Sequence, residues 1–127
     1  MSKMSNYLEA ALGNAVLRNI SYTSPAKVYL SLHTSDPGGT GANEVTAGDY
    51  ARQEIAFDAP TSGVFPNTAN VDSPVSSSDH GTATHFGVWD DVSAGNFLVG
   101  GELTASRTYN IDQFLRVVAG ELSVTFA

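Results

Sequence analysis

Three histidines, His33, His80 and His85, are the side chains in this sequence best suited to acid–base or metal chemistry. A metal ion needs about three converging ligands. His33 lies close to Asp36, His80 follows Asp79, and His85 falls inside a strand pattern on the face of Trp89. None of these has ligand-type spacing, and no metal site is expected. Ser76, Ser77 and Ser78 precede the Asp79–His80 pair and invite a hydrolytic triad. Triads are assembled by geometry across a fold, and neighbours within one loop rarely supply it. No G-x-S-x-G elbow is present.

Asp90 and Asp91 follow Trp89, and paired carboxylates beside an aromatic can serve glycoside hydrolysis. Adjacent residues point apart, however, so a polar Asx turn is the expected structure. The run Asp36–Pro37–Gly38–Gly39 lacks the alternating acidic ligands of a calcium loop and has no lysine for phosphate. With Cys 0, disulfides, thiolate nucleophiles and cysteine-held metals are excluded. No catalytic, metal-ligating or cofactor-binding residue is expected, and no cofactor.

Two arginines are more informative. Arg52 and Arg107 each fall within a strand pattern of a charge-poor chain. Such side chains either pair with a carboxylate, within the chain or across a subunit boundary, or lie on an exposed strand face. Glu54, Asp58 and Glu102 are candidate partners.

The elements that must position these residues are mostly strands. Residues 6–20 carry the one convincing helix pattern. Leu8, Ala11, Leu12, Ala15, Val16 and Ile20 share an apolar face, and Asn6 with Glu9 matches a capping box. Gly13 weakens the helix by about 1 kcal/mol relative to Ala, so the helix needs a surface to pack on. Residues 27–33 alternate as a half-buried strand, with Val28, Leu30 and Leu32 on one face. Residues 34–49 then form a long loop punctuated by Pro37, Gly38, Gly39, Gly41 and Gly48. Unstructured loops of that length are usually functional or mobile.

Further strands are expected at 50–58, 82–89, 97–103 and 106–111, with short ones anchored by Val64, Phe65, Val71 and Val75. Residues 114–118 and 121–126 bracket Ala119–Gly120 as a tight hairpin. Gly100–Gly101 marks a bulge or a close backbone approach. The expected fold is mainly β: a single jelly-roll-like sandwich or barrel over residues 1–127, with one N-terminal α-helix.

Composition narrows the role. Charged residues are 15%, well below the usual ~25%, so Ser, Thr, Asn and Gly must supply the polar surface. The net charge of −7 and the scattered Lys and Arg argue against nucleic acid and against an anionic membrane surface. The N-terminal segment has no continuous apolar run of the signal-peptide kind.

The segments YLEAALGNAVLRN, PAKVYLSLHTSDPGGTGANEV, GDYARQEIAF, GTATHFGVWD and GNFLVGGELTASRTYNIDQFLRVVAGELSVTFA occur in that order. The chain resembles a family of small tailed-phage structural proteins commonly labelled tail-fibre proteins. The distinctive pieces are L-H-T-S-D-P at 32–37, Y-A-R-Q at 50–53, T-H-F-G at 84–87 and A-G-E-L-S-V-T-F at 119–126. The resemblance implies a non-enzymatic virion protein, assembled in the bacterial host cytoplasm and exposed on the particle. It would decorate a capsid or accompany a tail fibre, against major capsid or tail proteins. A homo-oligomer, trimer or dimer, follows from particle symmetry. The expected contacts are Leu8, Leu12 and Val16 on the helix, Asp36 and Glu44 in the loop, and Arg52 and Arg107 on the strands. The alternative is a receptor- or glycan-binding module at a fibre tip, using Tyr29, Tyr50, Trp89, Tyr109 and the Asp90–Asp91 turn.

Overall fold

The computed structural model describes residues 2–126. Strand β1 (Ser2–Met4) leads into helix α1 (Asn6–Arg18). Next come β2 (Val28–His33), β3 (Gln53–Ile55), β4 (Val64–Pro66), β5 (Val71–Asp72), β6 (Gly81–Trp89), β7 (Phe97–Tyr109), β8 (Arg116–Val117) and β9 (Ser123–Thr125). The chain is mainly β with a single helix near its N-terminus, as the patterning predicts. A five-stranded antiparallel sheet runs β1-β7-β6-β2-β3, and two ribbons, β4–β9 and β5–β8, accompany it. One core cluster joins them. Leu8, Leu30, Leu32, Ile55, Phe86 and Leu98 from helix and sheet meet Val71, Val117 and Val124 from the ribbons. Burying such side chains drives the assembly, at roughly 1.5–3 kcal/mol each.

Several elements depart from the expected boundaries. The helix stops at Arg18, before 20, because Asn19 turns left-handed at φ 56° and its N–H bonds the Asn14 carbonyl. Its N-cap is Ser5, one residue before the predicted box: Ser5 Oγ accepts the Leu8 N–H at 3.0 Å. Strand β2 is buried on both sides at its end, since Ser31 and His33 are as enclosed as Leu30 and Leu32. The strand expected over 50–58 contracts to Gln53–Ile55, with Phe57 in an isolated bridge to Asn67.

The strands expected at 97–103 and 106–111 are one strand, β7. Ala83 faces Arg107 and His85 faces Glu102, so Leu103–Ser106 bulge opposite Thr84. At Gly100–Gly101 the reason for glycine is close approach. A Cβ at Gly101 would lie 2.8 Å from Phe86 and 3.1 Å from Ser2, the β1 residue it pairs with. The hairpin about Ala119–Gly120 is not formed, because β8 pairs with β5 and β9 pairs with β4.

Candidate protein-docking site

The histidine clusters are structural braces. His80 is 8% exposed, with Nε2 3.2 Å from Asp49 Oδ1, Nδ1 3.1 Å from the Ser78 carbonyl, and its ring stacked on Tyr109 at 4.4 Å. Asp79 points away and accepts the Ile111 N–H at 2.9 Å. Ser76 donates to the Asn110 and Gln113 carbonyls. Ser78 Oγ donates to Asp49 at 2.7 Å. Among the described residues, no serine hydroxyl bonds a His80 nitrogen, and no group of three or more His, Asp or Glu is arranged to hold a metal ion.

Asp49, at the end of the loop, carries no signal in the sequence and yet ties this corner together. The Ser77 N–H, then the Ser78 hydroxyl, hold its carboxyl down at about 2, against 3.8. A carboxylate whose folded value is depressed stabilises above its unfolded value and loses that contribution as the pH falls through the folded one. Asp49→Asn is therefore expected to flatten the drop in melting temperature between about pH 4 and about pH 2. Thermal melts of parent and variant across that window check it; parallel curves would refute the role.

The Asp90–Asp91 pair is the expected turn. Asp90 accepts the Asn96 N–H at 2.7 Å and the Asn96 side-chain amide at 2.9 Å, while Asp91 accepts the Ser93 N–H. Its loop is held from outside by Arg52, whose NH1 donates to the Asp91 and Ala94 carbonyls at 3.1 and 2.7 Å.

Arg52 is paired, and its partner is Glu44 in the loop, not Glu54, Asp58 or Glu102. Two hydrogen bonds of 2.9 Å join guanidinium and carboxylate, the side chains being 9% and 21% exposed. The guanidinium lies 3.7 Å over the Trp89 ring, and Tyr50 OH donates to Glu44 at 2.8 Å. Burial pushes the Tyr50 phenol above its usual value. Glu54 instead pairs with Lys27, both exposed, and Asp58 accepts from Thr68. Arg107 pairs with Glu121 and donates to the Arg116 carbonyl. Asp36 is exposed and caps its own turn by accepting the Gly38 N–H at 2.8 Å. Of the expected contact residues, then, Glu44, Arg52 and Arg107 are engaged within the chain.

The helix divides along its length. Leu8 is committed to the protein's own core and Leu12 packs against it. One turn further on, Val16 is 80% exposed and Leu17 is 83% exposed. Among the described residues, the backbone hydrogen bonds that tie the helix to the rest of the fold lie at its start: the Ser5 N–H bonds the Leu98 carbonyl at 2.8 Å and the Asn6 N–H bonds the Gly39 carbonyl at 3.0 Å. Its far end overhangs. Beside it lies an apolar groove of 260 Å³ lined by Leu12, Tyr22, Phe57, Phe65 and Phe126. Residues 10–35, which supply this helix end and Tyr22, contain none of the chain's 13 acidic residues. Clusters of exposed apolar side chains mark interaction surfaces more often than chance scatter does. Sequence patterning does not single out Leu17, Tyr22 or Phe126 as surface groups. The available signal is Leu17 itself, a leucine lying off the core stripe.

Two comparisons with known proteins bear on the chain as a whole. A family model described as Podophage GP4 fiber I protein gp80 matches residues 3–125. No curated protein matches the chain.

Proposed function

Because the chain belongs to the family described as Podophage GP4 fiber I protein gp80, we propose that it is a non-enzymatic component of the particle's exterior that works by protein–protein packing. Its family role is that of a tail-fibre-type structural protein of a bacteriophage virion. We place it with the tail fibre; capsid decoration is the other location its size allows.

The observation that carries the reading is the overhanging end of α1 beside the apolar groove. The occupant the surface fits best is a second copy of the chain. A convex end (Val16, Leu17) and a concave groove adjoin on one protomer, so a symmetric mate fills both at once. Residues 10–35 bring no carboxylate of their own to this surface, which lessens the repulsion that a net charge of −7 imposes between copies, with Asp90 the acidic group that acts on Tyr22. Dimers or trimers are expected, built in the host cytoplasm before incorporation.

The receptor- or glycan-binding alternative has less support. Trp89 and Tyr109 are buried and the Tyr50 hydroxyl is engaged with Glu44 and the Leu32 N–H, which leaves Tyr29 beside Asp90 and Asp91 in a shallow groove.

The test is the double variant Val16→Asp with Leu17→Asp. Both side chains are exposed, so the fold should persist, with a loss of about 1–2 kcal/mol because two carboxylates enter the last turn of α1 against its dipole. Self-association in sedimentation and incorporation into particles should each fall at least about tenfold, since two charges would enter an apolar contact. Parental incorporation by a folded variant would overturn the reading. Loss of incorporation without loss of self-association would assign the surface to a different virion protein.

A further inference from the structure

We propose that the chain carries a second docking surface, on the loops at residues 75–79 and 110–114, and that it takes an apolar segment bearing Lys or Arg from a different protein of the particle.

The two loops reverse the usual order of a free surface. Ser76 is 2% exposed, and its hydroxyl donates inward to the Asn110 and Gln113 carbonyls. Gln113 Oε1 is also engaged, accepting the Asn110 N–H at 2.8 Å. The apolar side chains stand out instead: Val75 is 63% exposed, Ile111 56% and Phe114 47%. Water favours the opposite arrangement, with serine outside and valine, isoleucine and phenylalanine within. Exposed apolar side chains gathered in this way mark a place where another surface packs.

The reversed arrangement is braced from behind. The Ser76 N–H bonds the Gln113 carbonyl, and the Asp112 N–H bonds the Ser76 carbonyl, each at 2.8 Å, so the two loops are tied side by side. Asp79 accepts the Ile111 N–H at 2.9 Å, and Asp112 turns left-handed at φ 68°. The Gln113 N–H closes the turn on the Asn110 carbonyl at 3.0 Å. Side chains displayed on a backbone held in this way have little further freedom to lose on binding.

Charge identifies the occupant. Asp79 and Asp112 are exposed, and both lie beside Ile111. Arg116 lies 5.8 Å over the Phe114 ring, but Asp72 holds its guanidinium at 2.7 and 3.0 Å. The surface thus joins apolar side chains to unanswered negative charge, which fits a partner offering apolar and cationic side chains. A second copy answers that description poorly. Of the 6 Lys and Arg residues, Lys27, Arg52, Arg107 and Arg116 are paired with carboxylates of their own chain. Among the described residues that leaves Lys3 and Arg18, and Arg18 stands on the helix end assigned above to contact between copies. That the partner belongs to the particle rests on the function proposed above; the surface itself does not.

Photo-crosslinking in assembled particles tests the surface. With benzoylphenylalanine in place of Phe114, the chain should become joined to a different particle protein, at a segment containing Lys or Arg. With it in place of Val92, exposed on the turn after Trp89, the yield should be at least about tenfold lower. Equal yields, or a crosslink to a second copy alone, would overturn the proposal. Particles that hold the chain without the Phe114 crosslink would overturn this proposal alone, and particles without the chain would overturn the proposed function as well. Asp79→Asn with Asp112→Asn is the companion variant. It removes both charges, keeps an acceptor for the Ile111 N–H, and leaves at position 112 a residue tolerant of the left-handed region. Its incorporation should fall about threefold or more, with parental self-association in sedimentation. Parental incorporation would overturn the cationic partner.

Discussion

Glu44→Gln is expected to lower the melting temperature by roughly 10 °C, the change of about 3 kcal/mol that results when a mostly buried charge loses its partner. The Arg52 side chain is only 9% exposed, and Glu44 supplies both of its carboxylate bonds. Glutamine keeps one acceptor but turns an amide N–H₂ toward donors, since Tyr50 OH also points at the Glu44 carboxylate. The loss sits at the low end for buried pairs because Glu44 is itself 21% exposed and partly screened. Losing the pair also unties three places at once: the loop at Glu44, the turn at Asp91 and Ala94, and the stack on Trp89. Adding Arg52→Met to Glu44→Gln should recover roughly half of the loss, because the remaining side chain then buries no unpaired charge. Thermal melts of parent, single and double variants measure both effects. A single-variant loss under about 3 °C would mean that solvent already screens the pair.

That pair also marks where the sequence is legible and where it is not. The period of β2 and the apolar stripe of α1 are local signals, and both elements form where the pattern lies. Partner choice is not local. Position along the strand offers Arg52 its near neighbours Glu54 and Asp58, yet the loop folds back and brings Glu44 to it. The N-cap shows the same limit. Asn6 and Glu9 match a capping box, but the Asn6 N–H is claimed by the distant Gly39 carbonyl, and Ser5 takes the cap. Strand β1 has no pattern to read, because its three residues are held at the sheet edge by β7. Periodicity likewise defines a helical face without saying what covers it. Leu8 and Val16 share one stripe, yet one is 5% exposed and the other 80%.

Asn67→Ala is expected to destabilise the protein by about 4 kcal/mol, roughly 15 °C in melting temperature, because it strips partners from several backbone groups together. Asn67 is 1% exposed. Its Oδ1 accepts the Leu122 N–H at 3.0 Å, and its Nδ2 donates to the Ala69 and Val118 carbonyls at 2.9 and 3.1 Å. Its own backbone donates to Leu122 and accepts from Gly120. The side chain thus stands between Val118 and Leu122, where a hairpin would join its two strands. The turn at Ala119–Gly120 does form: Gly120 has φ 78°, and the Glu121 N–H bonds the Val118 carbonyl at 3.0 Å. The two arms beyond it do not pair as a hairpin, because Asn67 wedges them apart and each finds its own partner, β5 for β8 and β4 for β9. The Leu122 N–H, enclosed with a residue 4% exposed, bears most of the expected loss, while water can reach the exposed Val118 and Ala69. Asn67→Asp separates the two halves of the side chain. It keeps an acceptor for Leu122 but sets an oxygen against two carbonyls, so it should be no milder than alanine. A loss under about 1 kcal/mol for alanine would show that the turn at 118–122 holds itself and that Asn67 only decorates it.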